Sequence, residues 1–225
     1  MVSVPAESLP LFPLGIVLVP EMLLPLHLFE ERYRRLMRDR ATSDPLFGVV
    51  LTRRGLEVGD RPETHRVGTS ASLVGGRQYP DGRYDIVVQG RRRFQVVDAD
   101  WSSDYLTGTI TWLDPTDQPT DEMAEERLAV RVAKAYHDFV ESVARQARAV
   151  IPRDSLPAEP APLSYHLIGQ LPINTWEQQR LLELPSTHAR LEQLLALLQR
   201  ERQLLTELGV GGSTIERPGR NVFLN

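Results

Sequence analysis

The chain has 225 residues, with 26 basic and 30 acidic side chains, a formal charge of −4, 41% hydrophobic residues and no cysteine. Such a balance belongs to a folded globular protein of one large or two small domains, and excludes a disordered or collagen-like chain. Disulfides, thiolate metal sites and cysteine nucleophiles are excluded outright, and no global field draws the protein onto nucleic acid or anionic lipid.

Leu9 to Leu28 reads LPLFPLGIVLVPEMLLPLHL, an apolar run long enough to suggest a leader or an anchor. Prolines 10, 13, 20 and 25 would each disturb a helix, and Glu21 and His27 interrupt the run. No basic residue precedes Arg32, whereas a secretory signal needs a basic segment before its apolar one. The expectation is a cytoplasmic protein with two short buried strands, Leu11–Leu14 and Gly15–Val19, and an extended proline-bounded segment to Leu28. Phe29–Arg40 then has helical apolar spacing, with acids early and bases late. From Leu46 to about Leu113, short strands are expected at 46–52, 69–76, 84–89, 94–97 and 105–113, with breaks at Gly90 and at Asp98–Asp104. Tyr79-Pro80-Asp81-Gly82-Arg83 is a turn signal. Strands this closely spaced predict an antiparallel barrel or sandwich.

The segment DPTDQPTDE (114–122) has two prolines, four acids and no apolar residue, and marks a boundary. Beyond it the period is helical: a long helix from a cap near Thr120 through Val143, a proline-rich loop at 151–162, short helices near 163–171 and 174–183, and a final helix Ser186–Leu208. The expected division is a β subdomain at 1–115, a helical bundle at 120–208 and a flexible tail at 209–225. Charge does not separate the halves: residues 1–115 hold 14 basic and 15 acidic groups, and 116–225 hold 12 and 15.

Lys134 is the single lysine, and no glycine-rich segment surrounds it, so a phosphate-cradling P-loop is excluded. The same lysine lies between apolar positions of an amphipathic helix, where it reads as a solvated side chain and not the desolvated base of a Ser–Lys dyad. The five histidines are scattered without metal-ligand spacing, and Gly-x-Ser-x-Gly is absent. His27 reads as a histidine bonded to backbone, and Glu30 and Asp85 would support hydrolysis only as two close carboxylates in a cleft. No catalytic residue, metal or cofactor is expected. Arg53, Arg77, Arg91 and Arg93, with Tyr79, Tyr84 or Phe94 as stacking surfaces, form the alternative: an RNA-binding stripe. Alternation along 91–97 and interleaved Asp81, Asp85, Asp98 and Asp100 favour an ion-paired exterior instead, so nucleic acid is not the expected partner.

Taken together, LPLFPL (9–14), VLVP (17–20) and LPLHLFEERYRRLM (24–37) resemble the opening of the Lon protease N-terminal domain family. Gly68-Thr69-Ser70-Ala71, Asp81-Gly82-Arg83, Gly90 to Val96 and Leu171–Leu184 are similar to its later elements. The resemblance implies an α+β fold: a PUA-like antiparallel β pseudo-barrel with a short helix, followed by a C-terminal helical bundle. It also implies a non-catalytic module, adaptor- or chaperone-like, for this chain carries neither the Walker motif nor the Ser–Lys dyad of full-length Lon. The partners implied are unfolded or partly folded polypeptides, with a separate protease or ATPase beside them, and no membrane. From the residues themselves, Met22, Leu23 and Leu24 in the proline-bounded loop 20–25 are candidates for apolar peptide contact, with the capping of a core as the other reading. Tyr79, beside the 80–82 turn, is a further candidate.

Overall fold

The computed structural model describes residues 7–40, 46–55, 61–113, 121–148, 151 and 155–208. The first apolar stretch forms β1 (Glu7–Leu14), buried on both faces from Leu9 onward. The reason is alternation: Phe12 and Leu14 enter one apolar cluster, and Leu9 and Leu11 enter another. Two prolines are tolerated because β1 changes partner midway. Residues Glu7–Pro10 pair antiparallel with β6 (Thr107–Trp112), and Leu11–Leu14 pair parallel with β3 (Phe47–Arg54), so each missing N–H falls on an unpaired side.

Gly15–Val19 is not the expected strand. Val17, Leu18 and Val19 are buried without joining a ladder, and β2 begins only at Leu23 (Leu23–Leu28). The helix α1 (Glu31–Arg40) follows, two residues shorter than its apolar spacing suggested, and places Tyr33, Leu36 and Met37 in the cluster of Phe12 and Phe47. β4 (Glu63–Gln78) and β5 (Tyr84–Asp100) are longer than expected, and neither Gly90 nor the aspartates from 98 onward end β5 before Asp100.

The strand order is β2-β5-β4-β3-β1-β6, with β5 also pairing β6. The antiparallel expectation is corrected at one place: β1 and β3 run parallel, the chain between them (β2 and α1) being long enough for a crossover connection. β5 serves two neighbours in turn, β2 through Tyr84–Gln89 and β6 through Phe94–Asp100. The ring of strands closes only through that second half, with β2 left on the rim. The sheet is therefore mixed, and the fold is α+β without a regular barrel.

The helices are α2 (Glu122–Ala147), α3 (Pro160–Gln170), α4 (Thr175–Glu183) and α5 (Thr187–Leu208). Asp121 caps α2, accepting from the Ala124 amide at 3.0 Å; Thr120 lies outside the described residues, as does the expected tail 209–225. Ser186 Oγ accepts from the Ala189 amide at 3.1 Å and starts α5. The described residues up to Leu113 form one compact unit together with Thr175–Gln179, and the other described helical residues form a second. In the second unit Leu128, Val132 and Phe139 of α2, Leu167 of α3, and Leu191, Leu194 and Leu198 of α5 are buried. Arg190 is buried with them at 1% exposure; its guanidinium donates to Thr187 Oγ1 at 2.7 Å and Ser164 Oγ at 3.1 Å, and lies 4.4 Å from the Tyr165 ring centre.

Candidate functional site

Pro20 and Glu21 make the turn that delivers β2. The Met22 amide donates to the Val19 carbonyl at 3.2 Å, proline sets the first central position, and Glu21 takes the second with φ +66°. This is a type II turn carrying glutamate where glycine is the usual residue. Glu21 N–H donates to Gly90 O, and Gly90 N–H to Met22 O, both at 2.9 Å, so the turn is bulged against β5. Gly90 is required there: a Cβ on it would lie 2.2 Å from the Val19 carbonyl oxygen.

The Gly90–Met22 bond also sets the register of β2 on β5. Leu24 and Leu26 occupy bonded positions, while Leu23, Pro25 and His27 direct their backbone groups to the free rim. Their side chains share the outer face. Across the sheet they meet Gln89, Val87 and Asp85 of β5, with Ser72, Gly75 and Arg77 of β4 beyond. Leu23 is 57% exposed and so is Val74, which lies at the irregularity in β4.

At one end of this face a polar cluster has formed. His27 and Asp85 are a non-hydrogen-bonded cross-strand pair, the closer kind, and His27 Nδ1 lies 2.6 Å from Asp85 Oδ1. A carboxylate only accepts, so the proton sits on Nδ1. The other carboxylate oxygen accepts from Tyr79 OH and from Arg77 Nη2, the latter at 3.1 Å, and Arg77 also bonds Tyr79 OH and packs 4.6 Å from its ring centre. These bonds, His27 foremost and Tyr79 next, hold the Asp85 carboxyl down to about 2. A carboxylate this strongly committed is a poor proton acceptor, so the cluster positions side chains; it is not arranged as a general base. His27 is thus bonded to a side chain, not to backbone. The adjoining hairpin tip is fixed from α1: Arg34 donates to the carbonyls of Gly82 (2.8 Å) and Asp81 (2.9 Å), and Gly82 has φ +85°.

The four peptide-contact candidates occupy different environments. Leu23 is exposed, Met22 is partly buried against the core, Leu24 is core at 3% exposure, and Tyr79 is half-buried in the polar cluster. Consecutive apolar residues diverge here because the segment is a strand from Leu23 on, not a loop. The arginine candidates are also dispersed. Arg53 pairs with Glu63 at 2.8 Å, Arg77 with Asp85, and Arg91 donates to Ser72 Oγ at 2.8 Å, while Arg93 is buried at 5% exposure. Phe94 is fully buried and offers no stacking surface. Glu30 pairs with Arg32 at 3.0 Å. Among the described residues no group of three or more His, Asp or Glu side chains is placed to hold a metal, and no helix is long and apolar enough to cross a membrane. Sequence reasoning missed the His27–Asp85 pair, which joins strands 58 residues apart. It also missed Trp176, 62% exposed with its ring centre 6.4 Å from that of His65; its place in a short helical segment gave no signal of exposure.

The mixed sheet with β2 at the end of its strand order, followed by a helical unit, defines the architectural class as an α+β domain. The family model described as the ATP-dependent protease La (LON) substrate-binding domain matches residues 8–200, and the chain belongs to that family. It is 30% identical over 206 residues to Lon protease 2 of Syntrophobacter fumaroxidans, covering 88% of this chain and 25% of that protein. It is 24% identical over 203 residues to Lon protease of Escherichia coli, again covering 88% of this chain and 25% of the relative. The chain thus spans about a quarter of the length of the curated relatives it matches. Among solved structures, the Lon N-terminal domain protein from Xanthomonas campestris aligns with TM-score 0.62 and 27% identity, covering 84% of this chain and 98% of that one. The N-terminal domain of Mycobacterium avium complex Lon protease shares the fold, with TM-score 0.61 at 18% identity, covering 86% of this chain and 98% of that one.

Proposed function

We propose that this chain is a non-catalytic polypeptide-binding module, adaptor- or chaperone-like, which takes unfolded or partly folded chains in the cytoplasm and presents them to a separate ATPase or protease. Residues 1–115, as a PUA-like pseudo-barrel, supply the recognition surface on this reading, and 120–208 supply the helical support. The family match supports the polypeptide as ligand, and the observation that carries the site is Leu23: a large apolar side chain left in water at the start of β2, directly after a turn pinned by Glu21 and Gly90. Such an anchor loses little freedom on binding, and burying it against a partner contributes about 1.5–3 kcal/mol.

The test is titration of a fluorescently labelled, permanently unfolded polypeptide against the wild type, Leu23→Ser and Met22→Ser/Leu23→Ser. Binding should weaken about tenfold or more for Leu23→Ser, with an unchanged melting temperature because the side chain is exposed. Equal binding by wild type and both variants would remove this face from the mechanism. Binding of RNA in place of polypeptide, falling steeply with salt, would replace the reading altogether.

A further inference from the structure

The second unit carries a groove that the reading above does not use. Its walls are single stripes of α2 and α5, residues 131, 134, 135 and 138 on one and 195, 198, 199 and 202 on the other, each following the i, i+3, i+4, i+7 rule of one helical face. Ala135, Leu195 and Leu198 form an apolar floor, and the volume is about 230 Å³. That is below the roughly 300–1,000 Å³ of a typical small-molecule site, and suits one or two inserted side chains.

The rim is cationic. Arg131, Lys134 and Arg202 stand around the floor with Asp138 as the only acid among the lining residues. Asp138 is already shared, 3.0 Å from Lys134 Nζ and 3.4 Å from Arg202 Nη1, and these cations, Lys134 first, lower its pKa so that it stays charged. Arg131 is exposed and makes no ion pair among the described residues. Three cations against one carboxylate leave a local positive excess in a half of the chain whose formal charge is negative.

We propose that this groove binds a short acidic polypeptide segment whose one or two aliphatic side chains enter the floor while its carboxylates meet Arg131, Lys134 and Arg202. The apolar floor selects against a bare polyanion, and no aromatic ring lines the groove to stack a nucleic-acid base.

The experiment is fluorescence anisotropy with a labelled synthetic peptide carrying two leucines one helical turn apart between Asp and Glu residues, beside the same peptide with every acid changed to Lys. The acidic peptide should bind with salt-sensitive affinity, and its Lys counterpart should bind about tenfold or more weakly. Arg131→Glu/Lys134→Glu should cost a similar factor, and Gln199→Glu, a single exposed change, a smaller one in the same direction. Leu23→Ser should leave this affinity unchanged, which separates the groove from the β2 face. Equal binding of the two peptides, wild-type affinity in both groove variants, or binding of inorganic polyphosphate or an oligonucleotide without binding of the acidic peptide would overturn the proposal.

Discussion

The sheet unit and the helical unit hold their shapes by different means. In the first, apolar clusters around Phe12 and Phe94 are framed by contacts to backbone: a type II turn closed at Glu21, a glycine at 90 under the Val19 carbonyl, and Arg34 gripping the carbonyls of the 81–82 turn. In the second, leucines at helical spacing supply the burial, and one guanidinium, that of Arg190, organises the hydroxyls of Ser164 and Thr187. The difference teaches where each unit is vulnerable. In the helical unit the weakness is the single Arg190 side chain, and in the sheet unit it is added atoms or altered backbone freedom at the Glu21–Gly90 turn.

The largest effect expected is that of Arg190→Ala. It leaves a void and two hydroxyls deprived of their donor at a site 1% exposed, and should cost about 3–5 kcal/mol in urea unfolding. A cost below about 1 kcal/mol would mean that leucine packing alone sustains the bundle. Gly90→Ala comes next. Its Cβ would meet a backbone oxygen 2.2 Å away, and the turn must shift, at about 1–3 kcal/mol. Glu21→Gly works in the opposite direction: it relieves a left-handed glutamate and should stabilise by about 1 kcal/mol, even with loss of the exposed Gln89–Glu21 bond.

The smallest effect is one of pH. The folded Asp85 carboxyl titrates at about 2, below the roughly 3.9 of an unfolded aspartate. Its bonds therefore contribute fully above about pH 4 and are lost as the pH falls toward 2. Melting temperatures across that window should fall less in Asp85→Asn than in the wild type. Parallel curves would show that the cluster is not coupled to the fold.

The same contrast explains how much was legible in the sequence. α1, α2 and α5 were readable because one amphipathic face repeats at the helical period, and the 79–83 turn because its residues prefer that geometry. The direction of β1 against β3 was not, since local pattern carries no sign of strand polarity. Gly90 suggested a break because glycine weakens strands; its actual reason is the carbonyl of Val19, far earlier in the chain. At the candidate site the residue types were visible, but their sorting was not. Whether Leu23 or Leu24 faces water depends on a strand starting at Leu23, and that start is set by the bulge at Glu21 and Met22. Arg93 likewise looked like its neighbours Arg91 and Arg92, yet it alone of the three is buried, and alternation gave no sign of it because Phe94 beside it is buried as well.

Pro25 sits in the middle of the rim strand, at a position whose amide would otherwise point away from the sheet. A second copy of the molecule trying to stack edge to edge along β2 meets a gap in its hydrogen-bond ladder there. A protein that leaves a leucine in water beside an open strand therefore carries its own guard against self-aggregation.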